Sequence, residues 1–411
     1  MTGTKEKYAV GGVLCDRPFK IRRLGHFGVN AYKMDEALVF YRDLLGFRIT
    51  DIRRDMADDR EGKVPEAFRA FGDLNGYFFR YGHDHHAFVL YNHALRKATD
   101  RNGFHRDDVT INQITWQVGS LAEVVEGDAW FKRNAEKVTR SGRDMPGSNW
   151  HSYLMDPDFH KNEIYYGMEQ IGWNGRSKPL DMHDREFAKA APLPQRSEYT
   201  EVNEAVARGS DLLSGYRDEE TFPLAHNVQG VLLARPFKIV KHGPVNLFVE
   251  DLEKAVAWYR DTMGFIVTEE TRYGGERCVF LRNNTEHHSL ALFPIALREK
   301  LGLRPDTTLA WFGIQLGSYQ QLVNAIDFLK SYGVTFRELP QELTPGMDHT
   351  ILAFDPDGHA MQLYWSMEQI GWDGKPRPAA QRRAVVPGAW PTMLEANADS
   401  FMGEPFLGPL G

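Results

Sequence analysis

The chain has 411 residues, enough for two or more domains that each bury a core. Hydrophobic residues make up 42% and charged residues 26%, an ordinary globular balance. The formal net charge of -7 leaves no basic excess to neutralise nucleic-acid phosphates or an anionic membrane, so a small soluble substrate is the expected partner.

The opening segment MTGTKEKYAV lacks an apolar stretch of signal-peptide length, and no later apolar run is long enough to span a membrane. Cys15 and Cys278 offer no disulfide or metal spacing, so a reducing cytoplasm is expected. From RPFKI at Arg17 the chain enters GHFGVNAYKMDEALVFYRDLLGFRIT, which reads as strand, helix and strand, with Ala37, Phe40, Tyr41 and Leu44 on one helical face. FFRYGHDHHAFVLY supplies closing strands. ITWQVGSLAEVVEGDAWFKRNAEKVTRSG repeats the strand and an amphipathic helix, here ending before Gly142. NWHSYLMDPDFHKNEIYYG then reads as two strands joined by an Asp-Pro-Asp turn.

After this point the chain writes itself again. RPFKI returns at Arg235, ALVFYRDLLGF is answered by AVAWYRDTMGF at Ala255, and the paired histidines of HHAFVLYNHALRK by HHSLALFPIALREK from His287. MEQIGW occurs at both Met168 and Met367. The expected fold class is α+β: four βαβββ units in two homologous halves, each half a curled mixed sheet around a cavity. The divisions are 17–175, a polar connection over 176–234 with a helix within EYTEVNEAVARGSDLLSGY, 235–374, and a Pro/Gly-rich arm over 375–411. The arm can pack on the other half, meet a partner subunit or hang loose; its residues do not choose.

Strands at matching places in paired units bring their side chains into one cavity. His26 opens the first strand of its unit, Gln113 lies on the matching strand of the second, and Glu163 on that unit's last strand. An isolated strand His or Glu is usually a satisfied structural group. A His, a carboxylate and an amide oxygen at matching points of a repeat suit a divalent cation with open positions, Fe(II) first, with Mn(II) or Zn(II) as alternatives. His86 is a candidate acid or base near neutral pH. Tyr153 and His151, on one strand face, are candidates to touch a substrate, with Trp116, Phe79, Tyr165 and Tyr166 as aromatic neighbours. His287 and His288 repeat the His85–His86 pair in the other half, which equally suits a role in the fold.

At these residues the chain resembles the vicinal oxygen chelate superfamily, and within it the two-domain type I extradiol ring-cleavage dioxygenases. GHFGVNAYKMDEALVFYRDLLGF is similar to the family's opening strand and helix, DHHAFVL to its paired-histidine segment, INQITWQVG and DPDFHKNEIYYG to its later ligand strands. The resemblance implies metal ligands His26, Gln113 and Glu163, proton transfer by His86, and a substrate hydrogen bond from Tyr153. It implies a dioxygenase acting on a catechol-like aromatic diol with O2, in a chain expected to form a homo-oligomer. Two features depart from the pattern. Gln113 stands where those enzymes carry His, as in glyoxalase I relatives, so a glyoxalase-like lyase or isomerase is the alternative, followed by a metal-free binding protein. Moreover, Pro244, Trp311 and Gln362 occupy the three ligand positions of the C-terminal half, so the N-terminal half is the expected active one.

Overall fold

The computed structural model describes residues 6–54, 65–100, 105–143, 147, 149–183 and 191–394. A hairpin of β1 (Tyr8–Val10) and β2 (Val13–Cys15) leads into β3 (Ile21–Ala31), β4 (Arg48–Arg53), β5 (Gly76–Arg80), β6 (Phe88–Asn92), β7 (Ile111–Val118), β8 (Val138–Arg143), β9 (Trp150–Met155) and β10 (Lys161–Tyr166). These last eight form one sheet in the order β4-β5-β6-β3-β7-β10-β9-β8. The antiparallel pair β3 and β7 lies at its middle, flanked by parallel β6 and β10.

A second hairpin, β11 (His226–Val228) and β12 (Val231–Leu233), introduces the repeat: β13 (Ile239–Val249), β14 (Ile266–Tyr273), β15 (Glu276–Arg282), β16 (Leu290–Pro294), β17 (Leu309–Leu316), β18 (Phe336–Arg337), β19 (Thr350–Phe354) and β20 (Ala360–Tyr364). Its strand order reproduces that of the first sheet. The protein is thus α+β, two homologous mixed sheets, each assembled from two βαβββ units.

Local chemistry explains the helices and where they differ from expectation. Ala37, Phe40, Tyr41 and Leu44 are buried as their spacing requires, yet the helix is α only over Met34–Leu38 and widens to a π-helix over Val39–Leu44. The second-unit helix begins at the Ser120 cap, whose hydroxyl accepts from the Glu123 N–H, and ends at Arg133 rather than near Gly142. Ala135 then adopts φ 59, and 138–143 becomes strand. The connection holds a helix over Glu198–Ala207, ended before Gly209 at φ 86. The described part of the C-terminal arm packs on its own half: Arg382 pairs with Glu269 and the Trp390 ring lies 5.2 Å from His349.

A continuous apolar core runs through both halves. Phe312 of β17 inserts between Phe27 and Phe88 of the first half, with ring centroids 5.1 and 5.7 Å away. The halves also hook each other at their hairpin turns. Asp156 accepts from the Tyr259 hydroxyl at 2.9 Å, and His160 meets Thr308 at 2.9 Å. Reciprocally, Asp355 accepts from Tyr41 at 2.9 Å and His359 meets Thr110 at 3.0 Å. His160 is therefore a structural link between halves.

Candidate metal centre

Side chains two apart on a strand share a face. Registers set His26 opposite Thr115, Thr115 beside Glu163, Glu163 opposite Tyr153, and Tyr153 opposite Arg140, one row across five strands. Gln113 and Lys161 belong to the next row, and Tyr165 and His151 to the row on the other side. Gly25 is small because of this arrangement: a Cβ there would lie 2.1 Å from the Tyr165 ring.

Glu163 is fully buried and His26 is 1% exposed. His26 Nε2 stands 3.2 Å from Glu163 Oε2. The Thr115 hydroxyl donates to the same oxygen at 2.8 Å, and Asn149 Nδ2 donates to Oε1 at 2.9 Å. Burial raises the Glu163 carboxyl, but the charge and hydrogen bonding of His26, with His151 and Thr115, outweigh it and hold the group at about 2. Gln113 Nε2 lies 3.5 Å from Glu163 Oε2 and its Oε1 accepts from the Tyr153 hydroxyl at 3.5 Å. The His151 ring is 4.6 Å from Tyr153, with Nδ1 3.9 Å from Glu163 Oε1.

His86 stacks edge-on to His26 at 4.2 Å and meets His85 through the two Nδ1 atoms at 3.0 Å. Burial, then the neighbouring His26, His85 and His242, push its imidazole well below the ordinary range, so it is neutral. The Tyr165 ring lies 5.2 Å from His26, and its buried hydroxyl has no partner among the described residues.

Trp116 is not brought to this face. It alternates with Thr115, so its indole points the other way, bonds Asn162 at 2.8 Å and packs 4.8 Å from Phe265 of the other half. Phe79 faces the core likewise. Thr115 was legible from Gln113 by the period of two. Asn149 carries no pattern signal, because it precedes its strand.

On the corresponding face of the C-terminal half, buried Gln362 takes the register position of Glu163 and apolar side chains pack around it. Trp311 packs 4.9 Å from Phe293 in a cluster with Phe248, Phe280 and Leu352. His242 pairs opposite Ile314 and turns to the Tyr81 hydroxyl at 3.4 Å, so it does not replace the missing ligand.

Donors about 2.1 Å from one ion, at right angles, stand about 3 Å apart, as His26 Nε2 and Glu163 Oε2 do. Gln113 adds an amide whose oxygen and nitrogen ends are nearly isosteric, so it can turn its oxygen to a cation. These residues fit a divalent metal. Two other groups also bring three potential ligand atoms together: His93, His105 and Asp107, and Asp355, Asp357 and His359. In the first Lys97 holds Asp107 at 2.6 Å, and in the second Asp355 is engaged by its own turn.

Comparison with known proteins agrees with this architecture. The model of the Glyoxalase/Bleomycin resistance protein/Dioxygenase superfamily matches residues 23–164 and 241–363, and the chain belongs to that superfamily. Metapyrocatechase of Pseudomonas sp. (strain CF600) is 27% identical over 36% of this chain and 47% of its own length. Metapyrocatechase 2 of Cupriavidus necator is 29% identical over 33% of each chain. The match thus spans half or less of these relatives. Among solved structures, the 2,3-dioxygenase LapB from Pseudomonas sp. KL28 superposes with TM-score 0.54 at 16% identity, covering 87% of this chain and 96% of that one. The Mn(II)-bound glyoxalase from Novosphingobium aromaticivorans gives TM-score 0.52 at 16% identity, covering 95% and 93%. These likenesses are of fold. No helix among the described residues is long and apolar enough to cross a membrane.

Proposed function

We propose that the chain is an extradiol-type dioxygenase that opens a catechol-like ring with O2, using a divalent metal, Fe(II) first, held by His26, Glu163 and Gln113 in the N-terminal half. The observation that carries this reading is the buried ionised Glu163 beside His26, with neutral His86 in ring contact and Tyr153 in the same row. A redox-active cation bound there supplies adjacent positions for a vicinal diol and dioxygen and lets electron density pass between them. Both oxygen atoms enter the product as the ring carbon–carbon bond beside the diol breaks, so no external reductant is needed.

The chain's own residues supply the rest. Neutral His86 is a proton acceptor; with Nδ1 engaged by His85, its Nε2 takes a proton from a diol hydroxyl and returns it to the opening ring. The Tyr153 hydroxyl, now loosely bound to Gln113, orients a substrate oxygen. His151 and Tyr165 line the same face.

The test is oxygen uptake by protein loaded anaerobically with Fe(II), against a panel of catechols, with spectra of the products. Uptake coupled to a yellow ring-opened product is expected. No uptake with any diol, despite metal bound, would sink the reading. Gln113 and the glyoxalase fold likeness favour a second reading, an oxygen-independent lyase or isomerase, which the same panel separates.

A further inference from the structure

The connection from β6 to β7 gathers three potential ligands away from the metal row. His93 opens the helix His93–Ala98 directly after β6, and His105 and Asp107 lie in the segment that leads into β7. One ligand atom from each lies within 4.8 Å of the other two. His105 Nε2 stands 3.5 Å from Asp107 Oδ1, close to the separation of about 3.4 Å between neighbouring ligands of a tetrahedral zinc ion. The two imidazoles meet edge to face, with ring centroids 5.2 Å apart. His93 is 6% exposed, and its Nδ1, like His105 Nε2, is buried without a hydrogen bond among the described residues.

A buried ring nitrogen without a partner costs free energy, and the fold does not ask for one at this place. In the second half the counterpart of His93 is Ile295, directly after β16, and Leu303 and Pro305 stand at the same remove from β17 as His105 and Asp107 from β7. Ile295 and Leu303 pack into the apolar cluster around Phe293 and Leu297. An apolar pair therefore satisfies the same geometry, and the two histidines call for a ligand of their own.

The cations already present do not fill that role. Lys97 donates to Asp107 Oδ1 at 2.6 Å, with both side chains more than half exposed, so an ion that also takes both imidazoles displaces it at small cost. Arg304, 4.5 Å above the Tyr32 ring, is engaged by Asp306 at 2.7 Å.

We infer that His93, His105 and Asp107 form a zinc site separate from the metal row, with water as the fourth ligand. Two imidazoles and one carboxylate suit Zn(II) in tetrahedral form, whereas Mg(II) and Ca(II) take oxygen ligands and leave imidazoles unused. The ion ties the start of the helix His93–Ala98 to the approach to β7, the strand that carries Gln113 and Thr115. This site stands whether or not the metal row performs dioxygenase chemistry.

The test is calorimetric titration of Zn(II) into full-length protein freed of metal with a chelator. Wild type is expected to take up one more equivalent of zinc than His93→Ile or His105→Leu, which install the residues that the second half carries at these places. Equal uptake by wild type and both variants overturns the site. Lys97→Met, at an exposed position, keeps the test open if the histidine variants do not fold: without the competing ammonium, zinc should bind at least about tenfold more tightly, and unchanged affinity overturns the site. Glu163→Gln, which disables the metal row, is expected to leave this equivalent in place. Its loss there would assign the zinc to the row and overturn the separate site.

Discussion

Glu163 is ionised in a fully buried position where Thr115, Asn149 and Gln113 surround it with neutral donors. His26 does most to hold the carboxylate ionised, with His151 and Thr115, and the neutral donors add to this without cancelling its charge. Glu163→Gln should therefore weaken Fe(II) or Mn(II) binding by at least about 100-fold, and Thr115→Val by about tenfold, in titrations followed by calorimetry. His93 has the opposite character. Burial beneath the Tyr32 ring, with His105 alongside, holds its imidazole down at about 4. In the unfolded chain it protonates near 6.5, so between those values the unfolded state binds more protons. This contribution to stability is intact above about pH 6.5 and falls as pH drops toward 4. Denaturation midpoints measured across that window should flatten in His93→Phe. The candidate set His26, Gln113 and Glu163 could be picked out because the three stand at matching points of paired units, where the second half carries Pro244, Trp311 and Gln362. Lys161 and Arg140 could not, since a charged residue on a strand reads as solvated until the register across neighbouring strands is known.

At the scale of elements, the hairpin turns between the last two strands of each half do more than reverse the chain. Asp156 accepts from the N–H groups of Asp158 and His160 as well as from His160 Nδ1 and Tyr259. Removing it strands several buried donors together. Asp156→Ala should cost about 3 kcal/mol, against about 1 kcal/mol for Tyr259→Phe, in urea unfolding. The Asp-Pro-Asp turn itself was readable from its residues. Its partners in the other half were not, because nothing in a local pattern says what a turn will touch. The π-helix after Met34–Leu38 was hidden for a related reason: its buried residues satisfy the α-helical spacing too.

In the whole molecule the two halves share a core. Phe312 fills the space between Phe27 and Phe88, and Trp116 closes on Phe265. Neither half can lose its partner without opening that core to water. Unfolding should therefore be one transition by calorimetry, with calorimetric and van't Hoff enthalpies in agreement; two separable transitions would contradict the shared core. The duplication itself, and the α+β class, stood out from the repeated segments. The apolar filling of the second concave face did not, although Trp311 opposite Gln113 was its visible sign.

The reciprocal hooks at the hairpin turns have a consequence for descent. Since His160 is anchored by Thr308 just ahead of Lys161, the start of the strand that carries Glu163 is held from the C-terminal half. That half therefore serves as a jig for the first. Drift in its turn-binding residues would shift Glu163 as surely as a change beside Glu163 itself, which is reason enough for a copy with a filled cavity to be kept.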